Sequence, residues 1–187
     1  MENFKVHCGV KWGIVGTFLS LYKAIIIPRL VTLHSFKGQY EHSIDAKGRI
    51  AFPAKMRKVL SPDAQERFVV VRGLETCLYL YPDNEWCDVE NALSKANNFT
   101  RTGRIAKRNF LRYAEDAVLD KQHRLVLPYE HTNYAQINGK AVFIGMGQYI
   151  EIWSPDILAK VDADLDPSTF EAIFEQVMGD GFGSDGE

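Results

Sequence analysis

Between residues 39 and 82 the chain alternates apolar and polar residues in short runs cut by turn formers, the pattern of half-buried strands. QYEHSID, residues 39 to 45, predicts a strand running into a turn in which Gly48 is free to take positive φ. RIAFP, residues 49 to 53, alternates as a second strand that Pro53 ends. AKMRKVL, residues 54 to 60, changes period: Met56, Val59 and Leu60 share a helical face, and Ser61-Pro62-Asp63 closes it. RFVVVRGLETCLYLYP, residues 67 to 82, is rich in β-branched and aromatic residues and predicts a hairpin turning near Gly73. A helix over residues 84 to 98 follows, capped by Asp83 or Asn84, with Trp86, Val89, Leu93 and Ala96 at helical spacing.

The same plan then recurs. VLDKQHRLVLP, residues 118 to 128, repeats the Asp, Arg, apolar and Pro positions of SIDAKGRIAFP, residues 43 to 53, at a constant interval of 75 residues. Strand, turn, strand, brief helix and hairpin follow in the same order, and IEIWSP answers LYLYP at the hairpin's end. Internal duplication of units of about 45 residues accounts for this. One unit, with four short strands, exposes too much unpaired edge to be stable alone, so the two are expected to interleave their hairpins into one closed barrel.

Two helical segments join the copies, residues 84 to 98 and roughly 102 to 114. On the second, Arg104, Arg108 and Arg112 form one stripe while Ala106, Phe110 and Tyr113 can face inward. The stripe is either a solvated face or a phosphate contact, and both readings stand. PSTFEAIFEQVM, residues 167 to 178, opens with a Ser168–Glu171 capping box and gathers Phe170, Ile173, Phe174 and Val177 on one face, which predicts packing on a neighbour. The last nine residues, GDGFGSDGE, are disordered by composition.

Charge changes the picture more than composition does. The 187 residues carry a net charge of only −2, but it is unevenly spread. Lys37, Lys47, Arg49, Lys55, Arg57 and Lys58 face only Glu41 and Asp45, a local +4, and residues 101 to 124 are again at +4. Residues 151 to 187 stand at −9, an acidic tail that either keeps the protein soluble or competes with phosphates for its basic face. Cys8, Cys77 and Cys87 form no pair motif and read as reduced thiols. The five histidines, His7, His34, His42, His123 and His131, have no metal-ligand spacing, so no metal and no cofactor are expected. Ser43, Ser61 and Cys77 lack a recognisable base and acid, and the GMG of residues 145 to 147 sits in a predicted hairpin, so enzymatic function is not expected.

Residues 11 to 33 are strongly apolar, but their longest uncharged run, Trp12 to Tyr22, falls short of the ~20 residues a membrane span needs. No small-x-small cleavage site follows. The preferred expectation is a mis-assigned start, with synthesis beginning near Val31 to His34. The alternatives are a core-packing extension and a membrane or export segment.

FKGQYEHSIDAKGRIAFPAKMR and DKQHRLVLP together resemble the MraZ family of bacterial transcriptional regulators, with its paired DxxxR motifs; the resemblance covers about residues 35 to 161. It implies an α+β fold, a pseudo-two-fold swapped-hairpin β-barrel of the double-psi or AbrB-like kind built from two tandem repeats with connecting and C-terminal helices. The implied division is an extension over 1–34, SpoVT-AbrB-like repeats over 37–84 and 114–157, a helical connector over 85–113, and a C-terminal helix with acidic tail over 158–187. It further implies a cytoplasmic, nucleoid-associated regulator that forms a ring-shaped homo-oligomer. Such a regulator binds double-stranded DNA at short direct repeats upstream of its own operon, the division and cell-wall gene cluster, and represses it. The main expected DNA contacts are Lys47 and Arg49, joined by Lys37 and Arg57, with Lys121 and Arg124 either secondary contacts or structural; Asp45, Gly48, Pro53, Asp120 and Pro128 are expected to shape the motifs. An arginine fork can read guanine or clamp a phosphate, but Arg49 can equally serve as the salt-bridge partner that fixes the Asp45 turn. The second copy replaces Lys-Gly with Gln122-His123, losing a charge and the flexible glycine. The competing class is a protein-interaction or antitoxin-like module without direct DNA readout.

Overall fold

In the computed structural model, residues 35 to 182 are described. The apolar N-terminal stretch and the readings of its start lie outside them, as do residues 183 to 187.

Each repeat delivers its predicted elements in order. In the first these are β1 (Gln39–Ser43), β2 (Arg49–Ala51), α1 (Ala54–Lys58), a 3-10 turn (Pro62–Ala64), β3 (Arg67–Arg72), β4 (Leu78–Pro82) and α2 (Asp83–Ser94). Helix α3 (Arg101–Leu111) connects to β5 (Glu115–Val118), β6 (Arg124–Val126), α4 (Tyr129–Tyr134), β7 (Lys140–Gly145), β8 (Ile150–Trp153), α5 (Pro155–Asp164) and α6 (Pro167–Phe182). Among the described residues there are six α-helices and a mainly antiparallel α+β arrangement, and no helix is long and apolar enough to cross a membrane.

The repeats are interleaved rather than side by side. Six strands form one sheet in the order β1-β7-β8-β4-β3-β5, so the first strand of each repeat pairs with the third strand of the other. Ser43 sits opposite Lys140 and Val70 opposite Glu115, while Leu80 pairs with Ile150 at the join between hairpins. β2 and β6 make a separate two-stranded ribbon with Ile50 opposite Leu125. The expected closed barrel is therefore not found: β1 and β5 are edges of an open sheet, and the short ribbon does not hydrogen-bond into it as a ladder, although an Ile44–Ile50 bridge links them at one point.

One core explains why the units need each other. Ile50, Phe68 and Leu80 from the first repeat meet Leu125, Phe143 and Ile152 from the second, each at most 1% exposed. Burying side chains of this size contributes about 1.5–3 kcal/mol apiece, and neither repeat could bury them alone. On the outer face, Val69 and Val71 pack under Trp86 of α2, with Phe110 of α3 stacked on Trp86 at 6.0 Å; Val142 and Trp153 pack beneath Leu158 of α5.

Two helix starts differ from expectation. α2 begins at Asp83 itself, with Pro82 as its N-cap and no side-chain cap, because Pro82 already sets an extended approach. α6 is capped by Asp166, whose carboxylate accepts from the Ser168 and Thr169 backbone N–H groups and both hydroxyls, so Ser168 is inside the first turn and forms no capping box with Glu171. That network of donors holds the Asp166 carboxyl well below its ordinary range.

Candidate nucleic-acid interface

The two DxxxR segments fold into near-identical turns. In the first, Asp45 Oδ1 accepts from the Lys47 and Arg49 backbone N–H groups at 2.9 and 3.0 Å, and Oδ2 accepts from Arg49 Nε at 2.7 Å and Nη2 at 2.6 Å. In the second, Asp120 accepts from Gln122 and Arg124 N–H at 2.8 and 3.0 Å, and from Arg124 Nε and Nη2 at 2.8 and 2.7 Å. The arginine hydrogen bond first, then the backbone donors, hold both aspartates down at about 2 against an ordinary 3.8. Arg49 is thus the salt-bridge partner of Asp45, one of its two expected roles, and Arg124 pairs with Asp120 in the same way. The guanidiniums are only partly covered, at 34% and 28% side-chain exposure, so their outer N–H edges face solvent.

Each turn is also braced by the end of the other repeat's ribbon strand. Gly48 O accepts from Leu127 N at 2.8 Å, and at the matching place His123 O accepts from Phe52 N at 2.9 Å. Gly48 takes φ +73°, and a Cβ there would come within 2.6 Å of Leu127 O. His123, which replaces the glycine in the second copy, nevertheless adopts φ 55°. The second turn keeps the backbone shape of the first, although the flexible glycine is lost, at the cost of a strained residue.

Because β-residues alternate faces, the ribbon sorts its side chains. Ile50 and Leu125 point inward, fully buried; Arg49, Ala51, Arg124 and Val126 lie on the opposite face, with Arg49 across from Val126 and Ala51 across from Arg124. Two buttressed arginines therefore share one small outward surface, flanked by the exposed tips that carry Lys47 and Lys121. Ala51 and Val126 were not predicted, though the R-I-A and R-L-V alternation was the signal that could have found them. A cleft of about 460 Å³ opens beside the first tip, lined by Asp45, Lys47, Gly48, Tyr129 and Asn138 among others, and Tyr129 is 81% exposed there.

Other expected contacts fall elsewhere. Lys37 lies before β1, eight residues ahead of Asp45 and so roughly 25 Å of extended chain from the turn. Arg57 is within 3.8 Å of Glu66, whose carboxylate lies equally close to His123 of the second turn, so Glu66 links the repeats and Arg57 faces it. Pro53 and Pro128 are the N-caps of α1 and α4, ending the ribbon strands on both sides. Lys55 stands 5.9 Å over the Tyr40 ring of β1. The arginine stripe of α3 partly fastens its own loop: Arg104 donates to Asn98 O and Phe99 O. Among the described residues, no group of His, Cys, Asp and Glu could hold a metal ion, and Cys77 is a buried thiol outside any disulfide.

Two tandem matches to one family model, described as "MraZ protein, putative antitoxin-like", cover residues 35–109 and 110–178. The chain belongs to the MraZ family. It is 37% identical over 144 residues to "Transcriptional regulator MraZ" of Desulforamulus reducens, covering 76% of this chain and 97% of that protein. It is 38% identical over 140 residues to the protein of the same name from Thermoanaerobacter sp. (strain X514), covering 75% and 94%, and 34% identical over 143 residues to that of Cytophaga hutchinsonii, covering 76% and 94%. The two MraZ units of the model match meet between residues 109 and 110, near the end of α3, so each includes a DxxxR turn and the helices after its hairpin.

Proposed function

We propose that this chain is a DNA-binding transcriptional regulator and not an enzyme, reading its own promoter region through the β2–β6 ribbon and its two DxxxR turns. The observation that carries this is the outward pair Arg49 and Arg124, each held rigid by its aspartate on a ribbon narrow enough to enter a major groove. Lys47 and Lys121 at the tips supply phosphate contacts. The relatives' names as transcriptional regulators point the same way.

In this reading the interleaved pairing of β1 with β7 and β5 with β3 is the trace of swapped hairpins, and the repeats span 37–84 and 114–157 around the 85–113 connector. Lys37 and Arg57 are outside the contact set. A single protomer offers few base contacts, so several protomers in a ring, on short direct repeats, supply the avidity. Repression of the chain's own operon from within the nucleoid completes the proposal. The antitoxin-like alternative draws on the family description and predicts binding to a protein partner with the ribbon idle.

The test is fluorescence anisotropy on a duplex from the gene's own upstream region. Lys47, Lys121, Arg49 and Arg124 together neutralising about four phosphates give a slope near −3.6 in log affinity against log salt, a roughly 150-fold loss between 50 and 200 mM. Binding that is insensitive to salt, or unchanged by Arg49→Ala with Arg124→Ala, overturns the proposal.

A further inference from the structure

Helix α6 presents an apolar face on which none of the described residues packs. Phe170, Ile173, Phe174, Val177 and Met178 recur at helical spacing and are 55, 50, 53, 65 and 41% exposed. Patches of several hundred Å² are rare on soluble monomers unless something binds them. Glu171 and Glu175 line one flank of this stripe, and neither has a hydrogen-bond or ion-pair partner among the described residues. They are like charges at i and i+4, which weakens the helix in isolation.

Helix α3 is the complement. Arg101, Arg104, Lys107 and Arg108 lie along it with no acidic residue between them, and Arg112 follows. Ile105 and Leu111 are 42% and 41% exposed beside this basic stripe, and Phe99, just before the helix, is 94% exposed. The Arg101 and Arg108 side chains have no hydrogen-bond or ion-pair partner among the described residues. A shallow groove of about 510 Å³ runs along Arg104, Arg108 and Leu111. One helix thus carries apolar side chains edged with unpaired carboxylates, and the other carries apolar side chains edged with unpaired guanidiniums.

We propose that α6 of one protomer docks on α3 of a second copy of this chain, burying Phe170, Phe174 and Val177 against Leu111 and Ile105 while Glu171 and Glu175 meet Arg101 and Arg108. This rests on the ring reading above and names its seam. The contact is heterologous: α6 and α3 are different surfaces, so repetition generates a ring or a filament rather than a closed two-fold dimer. It also assigns the basic stripe of α3 to assembly rather than to DNA, leaving the ribbon turns as the nucleic-acid face.

The test uses the full chain, light scattering after size exclusion, and two charge-reversed proteins. One carries Glu171→Arg with Glu175→Arg; the other carries Arg101→Glu with Arg108→Glu. All four positions are exposed, and circular dichroism confirms that each variant is folded. Each variant alone is expected to fall to the 21.2 kDa protomer at a concentration where the unaltered chain is assembled. An equimolar mixture is expected to reassemble, because each reversed helix then meets a reversed partner on the other chain. Assemblies that survive both reversals, or a mixture that stays protomeric, overturn the α6–α3 seam. A protomeric unaltered chain overturns the seam and the ring together. Anisotropy on a duplex with one repeat separates the function from the seam: both variants should bind it within about twofold of the unaltered chain, and loss of that binding in the Arg101/Arg108 variant makes α3 a DNA face and overturns the docking. Failure of Arg49→Ala with Arg124→Ala to weaken single-repeat binding sinks the ribbon reading and leaves the seam untouched.

Discussion

Gly48→Ala isolates what holds the first turn against the second repeat's ribbon strand. Gly48 sits at φ +73°, its would-be Cβ lies 2.6 Å from Leu127 O, and its carbonyl accepts the Leu127 N–H at 2.8 Å. Left-handed backbone costs a non-glycine residue about 1–2 kcal/mol. Weakening the Gly48–Leu127 bond as the backbone shifts away costs about 0.5–1.5 kcal/mol more. Restricting the unfolded chain offsets about 0.4–1 kcal/mol. The net expectation is a destabilisation of about 2 kcal/mol, or a Tm lower by roughly 4–8 °C for a chain of this size. Gly139 is the internal control, because it has φ +71° but nothing within 4 Å of its would-be Cβ. Gly139→Ala carries the strain without the clash, so its cost is about 0.5–1 kcal/mol. Urea unfolding of both variants at one protein concentration, followed by far-UV circular dichroism, measures the difference. Equal stability of the two variants refutes the bracing of the first turn by the second repeat's ribbon strand.

The other turn gives a mirrored expectation: His123→Gly relieves left-handed strain at φ 55° and should leave stability within about 1 kcal/mol, measured by the same unfolding; a larger loss means the His123 ring contributes binding of its own. Asp45 and Asp120 are held at about 2 when folded against 3.8 ordinarily, so their stabilisation is complete above about pH 4 and is lost as pH falls through 2. Thermal melts of Asp45→Asn with Asp120→Asn should therefore depend less on pH between 4 and 2 than melts of the unaltered chain; parallel curves contradict the locks. Lys47→Ala should weaken DNA binding similarly across sequences and reduce the salt slope by about 1, whereas a sequence-selective loss would make Lys47 a base reader. Arg72 lies 3.4 Å from the Tyr113 ring centroid and 4.7 Å from that of Tyr134, tying the end of α3 to the second repeat. Arg72→Leu should cost about 1–2 kcal/mol, and an unchanged melt excludes the clamp.

Local chemistry determined a great deal here. Alternation, turn formers and the 75-residue interval located all eight strands and the repeat, because strand and turn preferences act over a few residues. Asp45 and Asp120 are equally local: a carboxylate that captures backbone donors two and four residues on needs no distant partner. Only the tertiary structure decided that β1 leaves its own repeat to pair with β7, and that the sheet stays open rather than closing into a barrel. Those outcomes depend on which long-range pairing buries Phe68 with Phe143, a matter of shape that no window of sequence contains. Lys37 and Arg57 looked equivalent to Lys47 in a count of charge, yet one lies at the far end of β1 and the other faces Glu66. His123 is the clearest case: the sequence showed a lost glycine, and the reciprocal bond to Phe52 imposed the glycine's conformation anyway.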